Sequence, residues 1–279
     1  MGDTTAHPFR RAERRVGRFL PRGWRDFWLQ FAIFWSFYLA YEASRTLASA
    51  DRYVAIRNAL DVLRAQQILG IDLERNVQEW ALNSNDIVMS IANWTYFNCQ
   101  FTITYALLLF IYFRRNHAFY FIRNALLATS FAALLGYILL PTAPPRMFGG
   151  LGFVDTLNQT SVNHNSGIVA WFANPYAAMP SLHTAYAVII GCAGVLVFAH
   201  PLLKLVWTLY PGLVLFSIIA TGNHWFLDAA VGAFVALFAL LFAFAIGRGQ
   251  VPTLGYRRQA GASPPAYAVH SAESAVQQA

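Results

Sequence analysis

TGNHWFLDAAVGAFVALFALLFAFAIG, residues 221–247, decides the fold. From Ala229 to Ile246 no side chain is charged, and the run approaches the ~20 apolar residues that a helix needs to cross hydrocarbon. Such a stretch belongs in a bilayer. Yet His224 and Asp228 stand four residues apart where it begins.

The rest of the chain agrees with a membrane setting. Of 279 residues, 57% are hydrophobic and 12% charged, against about 25% charged in an ordinary soluble domain. Apolar runs at 27–47, 87–112, 124–140, 181–199, 205–221 and 224–247 predict an all-α, polytopic bundle of six transmembrane helices. The catalytic or binding domain would then span 25–247, between polar tails at 1–24 and 248–279 that have the composition of disordered segments. Ala48-Ser49-Ala50 has the small residues of a cleavage site but lies too far along for a signal peptide, so the first run is expected to remain as a span. Cys99 and Cys192 fall inside spans and read as small buried hydrophobes.

A formal charge of +7 could point to nucleic acid, but its placement does not. Arg10, Arg11, Arg14, Arg15, Arg18, Arg22 and Arg25 precede the first span; Arg114, Arg115 and Arg123 separate the second from the third. Lys204 lies between the fourth and fifth, and Arg248, Arg257 and Arg258 follow the sixth. If spans alternate, all of these fall on one side, which makes both termini cytoplasmic. Segments 48–86 and 141–180 then face outward. In the first of these, DRYVAIRNALDVLRAQQILGI, Tyr53, Ile56, Leu60 and Leu63 recur at helical spacing, as in an interfacial or a packed outer helix. Lys204 is the one lysine among 20 basic residues, which points to a GC-rich bacterial genome and so to a plasma membrane.

Four polar residues then gather at the outward face. His183 follows Pro180-Ser181-Leu182 at the start of the fourth span, His224 and Asp228 open the sixth, and Arg146 follows the third in PTAPPRM. Positions i and i+4 share a helix face, so Asp228 is expected to accept a hydrogen bond from the His224 ring. That would fix the tautomer and leave the other nitrogen free to attack. Ser181 and Asn223 are good N-cap types for the two helices. Helix N-termini offer unsatisfied N–H groups and partial positive charge, an anion site, and Arg146 suits a phosphate. His183 is placed to protonate a leaving oxygen. These residues point to phosphoryl chemistry without metal or cofactor.

PSLH at 180–183 and H-x-x-x-D at 224–228 resemble the second and third motifs of the phosphatidic acid phosphatase type 2 superfamily. PTAPPRM and TGNHWFLD look closer to its inositol phosphorylceramide synthase-like branch. The resemblance covers about residues 85–247. It implies that His224 attacks phosphorus to form a phosphohistidine, that Asp228 supports it, and that His183 protonates the leaving group. It implies a lipid phosphate or phosphodiester substrate within the bilayer. Three departures stand out. The usual Lys–Arg first motif has only Arg146 as a match, Ser217-Ile218 replaces Ser-Arg, and Leu182 replaces glycine. Fewer cations favour a singly charged phosphodiester donor, with phosphoinositol transfer as the branch implies, over a monoester carrying nearly two charges.

Three alternatives stay open at this level. One is a lipid phosphate monoester phosphatase. Another is a metal enzyme using the two histidines and the carboxylate as a facial triad. The third is a transporter using intramembrane charges as a proton relay.

Overall fold

The computed structural model describes residues 20–48, 52–156 and 176–247. The polar tail from 248 onward, most of that before Gly23, and the middle of the 141–180 loop lie outside the described residues. Among those described, the chain is helical, with a single isolated bridge between Thr142 and Ala177.

Helix α1 is Gly23–Ala48 and α2 is Arg52–Leu69, closed by Gly70 at φ 68°, a left-handed stop that suits glycine. Helix α3 (Glu74–Asn83) is followed by α4 (Asp86–Asn98), whose N-cap Asn85 accepts the Ile87 N–H at 3.0 Å. A π turn at Cys99–Ile103 joins α4 to α5 (Thr104–Arg114) without breaking the rod. The Cys99 carbonyl accepts the hydroxyls of Thr104 at 2.9 Å and Tyr210 at 3.2 Å. Helix α6 (Asn116–Leu139) leads into short 3₁₀ turns at Pro145–Met147 and Gly149–Leu151. Then follow α7 (Leu182–Val197), α8 (Pro201–Ala220) and α9 (Phe226–Ile246).

Among the described residues, four rods are long and apolar enough to cross a membrane: Asp86–Arg114, Asn116–Leu139, Pro201–Ala220 and Phe226–Ile246. These coincide with the second, third, fifth and sixth expected spans, although α6 starts well before 124 and α9 only at Phe226. Helix α7 has 16 residues, about 24 Å at 1.5 Å per residue, so the fourth expected span is shorter than a ~30 Å hydrocarbon layer. The first expected span lies within α1, which is outside the four.

The packing is that of a membrane bundle. Helix α9 buries Ala229, Gly232, Ala236, Ala239 and Ala243 and exposes Phe234, Leu237, Phe238, Leu241 and Phe242. Small residues let helices approach where lipid removes any hydrophobic gain from burying large ones, and an apolar exterior this continuous needs a hydrocarbon solvent. Helix α7 is central, packed against α6, α8 and α9. A Cβ on its Gly194 would collide with the Trp207 ring, and one on Gly191 would sit 2.9 Å from the Trp207 carbonyl. Cys99 is buried as expected, but Cys192 is on the exposed face of α7; both are free thiols.

At one end, α1 is tied to the α5–α6 corner. Asp26 accepts from Tyr112 at 3.0 Å and Tyr120 at 2.8 Å, and Arg123 donates to Gln30 at 2.6 Å. Helices α2 and α3 cap the opposite end. The buried face of α2 is Ala55, Ala59, Val62 and Gln66, while Tyr53 is 71% exposed. Of the four apolar positions that share a spacing, Ile56 and Leu63 pack against the same cluster, and Leu60 is half-buried.

Candidate active site

Three stretches converge beneath α2 and α3. Gly222, at φ 68°, makes the turn between α8 and α9, a conformation costly for any residue with a Cβ. The Arg146 N–H donates to the Gly222 carbonyl at 2.8 Å, which stitches the 3₁₀ turn to that loop. Pro180-Ser181 wedges between α6 and α9. A Cβ on Gly136 would collide with the Pro180 ring, and one on Gly232 with the Ser181 carbonyl. Tyr137 donates to the Pro180 carbonyl at 3.1 Å and the Ser181 N–H to that of Asp228 at 3.0 Å. The motif segments are thus joined through backbone.

His183 and His224 meet. His224 Nε2 lies 3.2 Å from His183 Nδ1, with the ring planes at 62°. His224 Nδ1 lies 2.9 Å from the Ala178 carbonyl oxygen. A carbonyl can only accept, so in the neutral ring Nδ1 carries the proton and Nε2 keeps its lone pair. His183 Nδ1–H then donates to it. His224 is 4% exposed, and Tyr96 stacks on His183 at 4.6 Å between centroids.

Asp228 has a different first partner from the one expected. Its Oδ2 accepts the Trp225 N–H at 2.8 Å, capping its own helix from the third position, and lies 3.6 Å from His224 Nδ1, beyond hydrogen-bond range. The Ala178 carbonyl therefore sets the His224 tautomer. Oδ1 of Asp228 is buried without a hydrogen-bond partner among the described residues, so the carboxylate keeps acceptor capacity a short ring movement from Nδ1.

The capping expectations divide. Ser181 caps α7 as expected, its hydroxyl accepting the Thr184 N–H at 3.3 Å, and is fully buried. Asn223 does not cap α9, because the N-cap is Trp225. Instead Asn223 donates to the Thr221 hydroxyl at 2.8 Å and accepts from Arg146 Nη1. Nor is the α9 terminus an open anion site. Its Phe226 and Leu227 N–H groups are bonded to the Glu74 and Gln66 side chains, each at 2.7 Å.

Arg146 reaches the loop that carries His224, through its N–H to the Gly222 carbonyl and its guanidinium to Asn223. Its Nε also lies 3.8 Å from Asp155 Oδ2. Sequence reasoning missed Tyr96, Ala178 and Asp155. Ala178 acts through its carbonyl and leaves no mark in a side-chain pattern, while Tyr96 is one aromatic among many in an apolar span. Among the described residues, no group of three or more His, Cys, Asp or Glu is disposed to hold a metal ion.

A family model described as the PAP2 superfamily matches residues 60–242. No curated protein matches the chain, and no solved structure does.

Proposed function

Because the chain belongs to the PAP2 superfamily, we propose that it is a membrane-embedded phosphotransferase or phosphatase acting on a lipid phosphate through a phosphohistidine on His224. The observation that carries this reading is the 2.9 Å bond from His224 Nδ1 to the Ala178 carbonyl. It leaves Nε2 as the nucleophilic atom, turned toward His183.

The steps follow from that arrangement. Substrate phosphate enters against Arg146, and the His183 ring gives up its bond to Nε2 by sliding on the Tyr96 face. Nε2 then attacks phosphorus as the bond to the leaving oxygen breaks, and His183, as the imidazolium, supplies that oxygen with a proton and becomes neutral. The Asp228 carboxylate favours the positive charge that develops on the His224 ring. Water or an alcohol next attacks the phosphohistidine, losing its proton to His183, and His224 is regenerated. No step calls on a metal or cofactor.

A phosphodiester donor, with transfer of a phosphorylated headgroup such as phosphoinositol, is favoured over a monoester. The support is electrostatic. Arg146 is bonded to Asn223 next to His224, and Asp155 offsets its charge at 3.8 Å, so a second negative charge on the substrate gains little. The arginine asymmetry supports a reaction on the extracytoplasmic face. The test is to assay purified protein on lipid phosphates and phosphodiesters, with and without alcohol acceptors. Turnover of a diester that rises with an alcohol supports transfer. Monoester hydrolysis alone favours the phosphatase reading, and no turnover of either class contradicts both.

A further inference from the structure

The connection between α1 and α4 contains none of the motif residues, yet three of its polar side chains are among the most deeply buried in the molecule. Gln66 of α2 and Glu74 and Gln78 of α3 are 0%, 1% and 2% exposed. A polar group removed from water is costly unless bonded, and the bonds these make converge on one region. Glu74 Oε1 accepts the Phe226 N–H and Gln66 Oε1 the Leu227 N–H, each at 2.7 Å. Gln78 Nε2 donates to the Ala220 carbonyl at 3.1 Å and the Val154 carbonyl at 3.0 Å, while its Oε1 accepts the Val154 N–H at 2.9 Å.

The bonded positions bracket the chemistry. Ala220 precedes and Phe226 and Leu227 follow the Thr221–Trp225 loop that holds His224, and Val154 adjoins Asp155 beside Arg146. Gly222 lies so close that a Cβ there would stand 2.8 Å from Gln78 Nε2. The loop is gripped at both ends from outside the bundle, independently of the Ala178 bond that turns the ring.

We propose that Gln66, Glu74 and Gln78 are positioning residues, which hold the Ala220–Leu227 backbone so that His224 Nε2 stays in line with phosphorus. This rests on the reading of His224 as nucleophile. Since the side chains touch backbone and not the reacting atoms, they set geometry, and small misplacements of a reacting group can cost about 10²-fold in rate. Burial pushes the Glu74 carboxyl above the usual carboxylate range, partly offset by the Phe226 N–H. A neutral glutamine offers the same acceptor, so acceptor and charge can be separated.

The experiment uses the full chain in lipid vesicles. It measures kcat, KM and the rate of phosphoenzyme formation for Glu74→Leu, Gln66→Leu, Glu74→Gln and the milder Gln66→Asn, which withdraws the acceptor by one bond. Glu74→Leu is expected to lower kcat and phosphoenzyme formation about 10²-fold, with KM changed less than about threefold. Glu74→Gln should restore most of the rate. Gln66→Asn should lose about tenfold in kcat and serves if the leucine variants do not fold. Folded variants with wild-type kcat, or with KM alone altered, would overturn the proposal, as would a Glu74→Gln as slow as Glu74→Leu. A wild type that turns over without labelling His224 contradicts the nucleophile reading itself, a result distinct from any of these.

Discussion

His224 is oriented by a backbone carbonyl, and that separates the roles of its neighbours. Asp228→Asn keeps an oxygen to accept the Trp225 N–H, so the helix cap survives while the charge is lost. The melting temperature should hold and the rate should fall by about 10²-fold or more. An unchanged rate would reduce Asp228 to a cap, whose loss in Asp228→Ala costs ~1 kcal/mol. His183→Ala should retain measurable turnover, down about 10²–10⁴-fold, and recover selectively with donors whose leaving groups need no proton. Asp155→Asn removes the carboxylate 3.8 Å from Arg146 and should raise monoester over diester kcat/KM by roughly tenfold, since two charges a few ångströms apart in a partly buried site interact by more than the 1.4 kcal/mol that a factor of ten requires. An unchanged ratio would mean that Asp155 does not select for charge. At this scale the sequence singled out residues that the structure brings together, because histidine, aspartate and arginine are conspicuous at the mouth of an apolar run. It hid the Ala178 carbonyl, the Tyr96 stack and the N-cap role of Trp225, since a backbone acceptor, one aromatic among many and a cap of unusual type carry no pattern.

Between helices, the site depends on close approach of backbones. The Pro180-Ser181 turn sits between Gly136 of α6 and Gly232 of α9, where any Cβ meets a ring or a carbonyl. Gly232→Val should shift the Ser181 backbone, and with it His183. Overpacking of this kind typically costs ~1–3 kcal/mol, so thermal unfolding in detergent should come several degrees lower, with activity lost out of proportion. A variant as stable and active as wild type would show that the turn can relax around the added methyls. Helix periodicity located α4 through α9 well, because hydrocarbon demands long apolar helices. In α2 it found Ile56 and Leu63 but not Ala55, Ala59 and Gln66 at the centre of the packed face. Apolar spacing cannot see a contact made by small residues and a buried amide.

At the scale of the whole molecule, the histidine cluster lies at the opposite end of the bundle from Arg22, Arg114 and Arg123 among the described residues. Tyr120 and Arg123 lie at the start of α6, and Tyr137, bonded to Pro180, at its far end. With the arginines cytoplasmic, Gly150→Cys should react with an impermeant thiol reagent in intact cells. Labelling only after cell rupture would reverse the orientation. Charge placement foretold this separation because it uses only the alternation of spans. Activity should also survive EDTA, since each proposed step is carried by side chains and backbone. Loss on chelation, restored by one divalent ion, would bring the metal alternative forward.

One measurement bears most directly on His224 as the nucleophile. Purified wild type and His224→Ala are mixed with a donor carrying radioactive phosphorus, quenched within a turnover and analysed for protein-bound label. Wild type is expected to carry acid-labile, base-stable label that chases into product when acceptor is added, and His224→Ala to carry none. Equal labelling of the two proteins would contradict the mechanism.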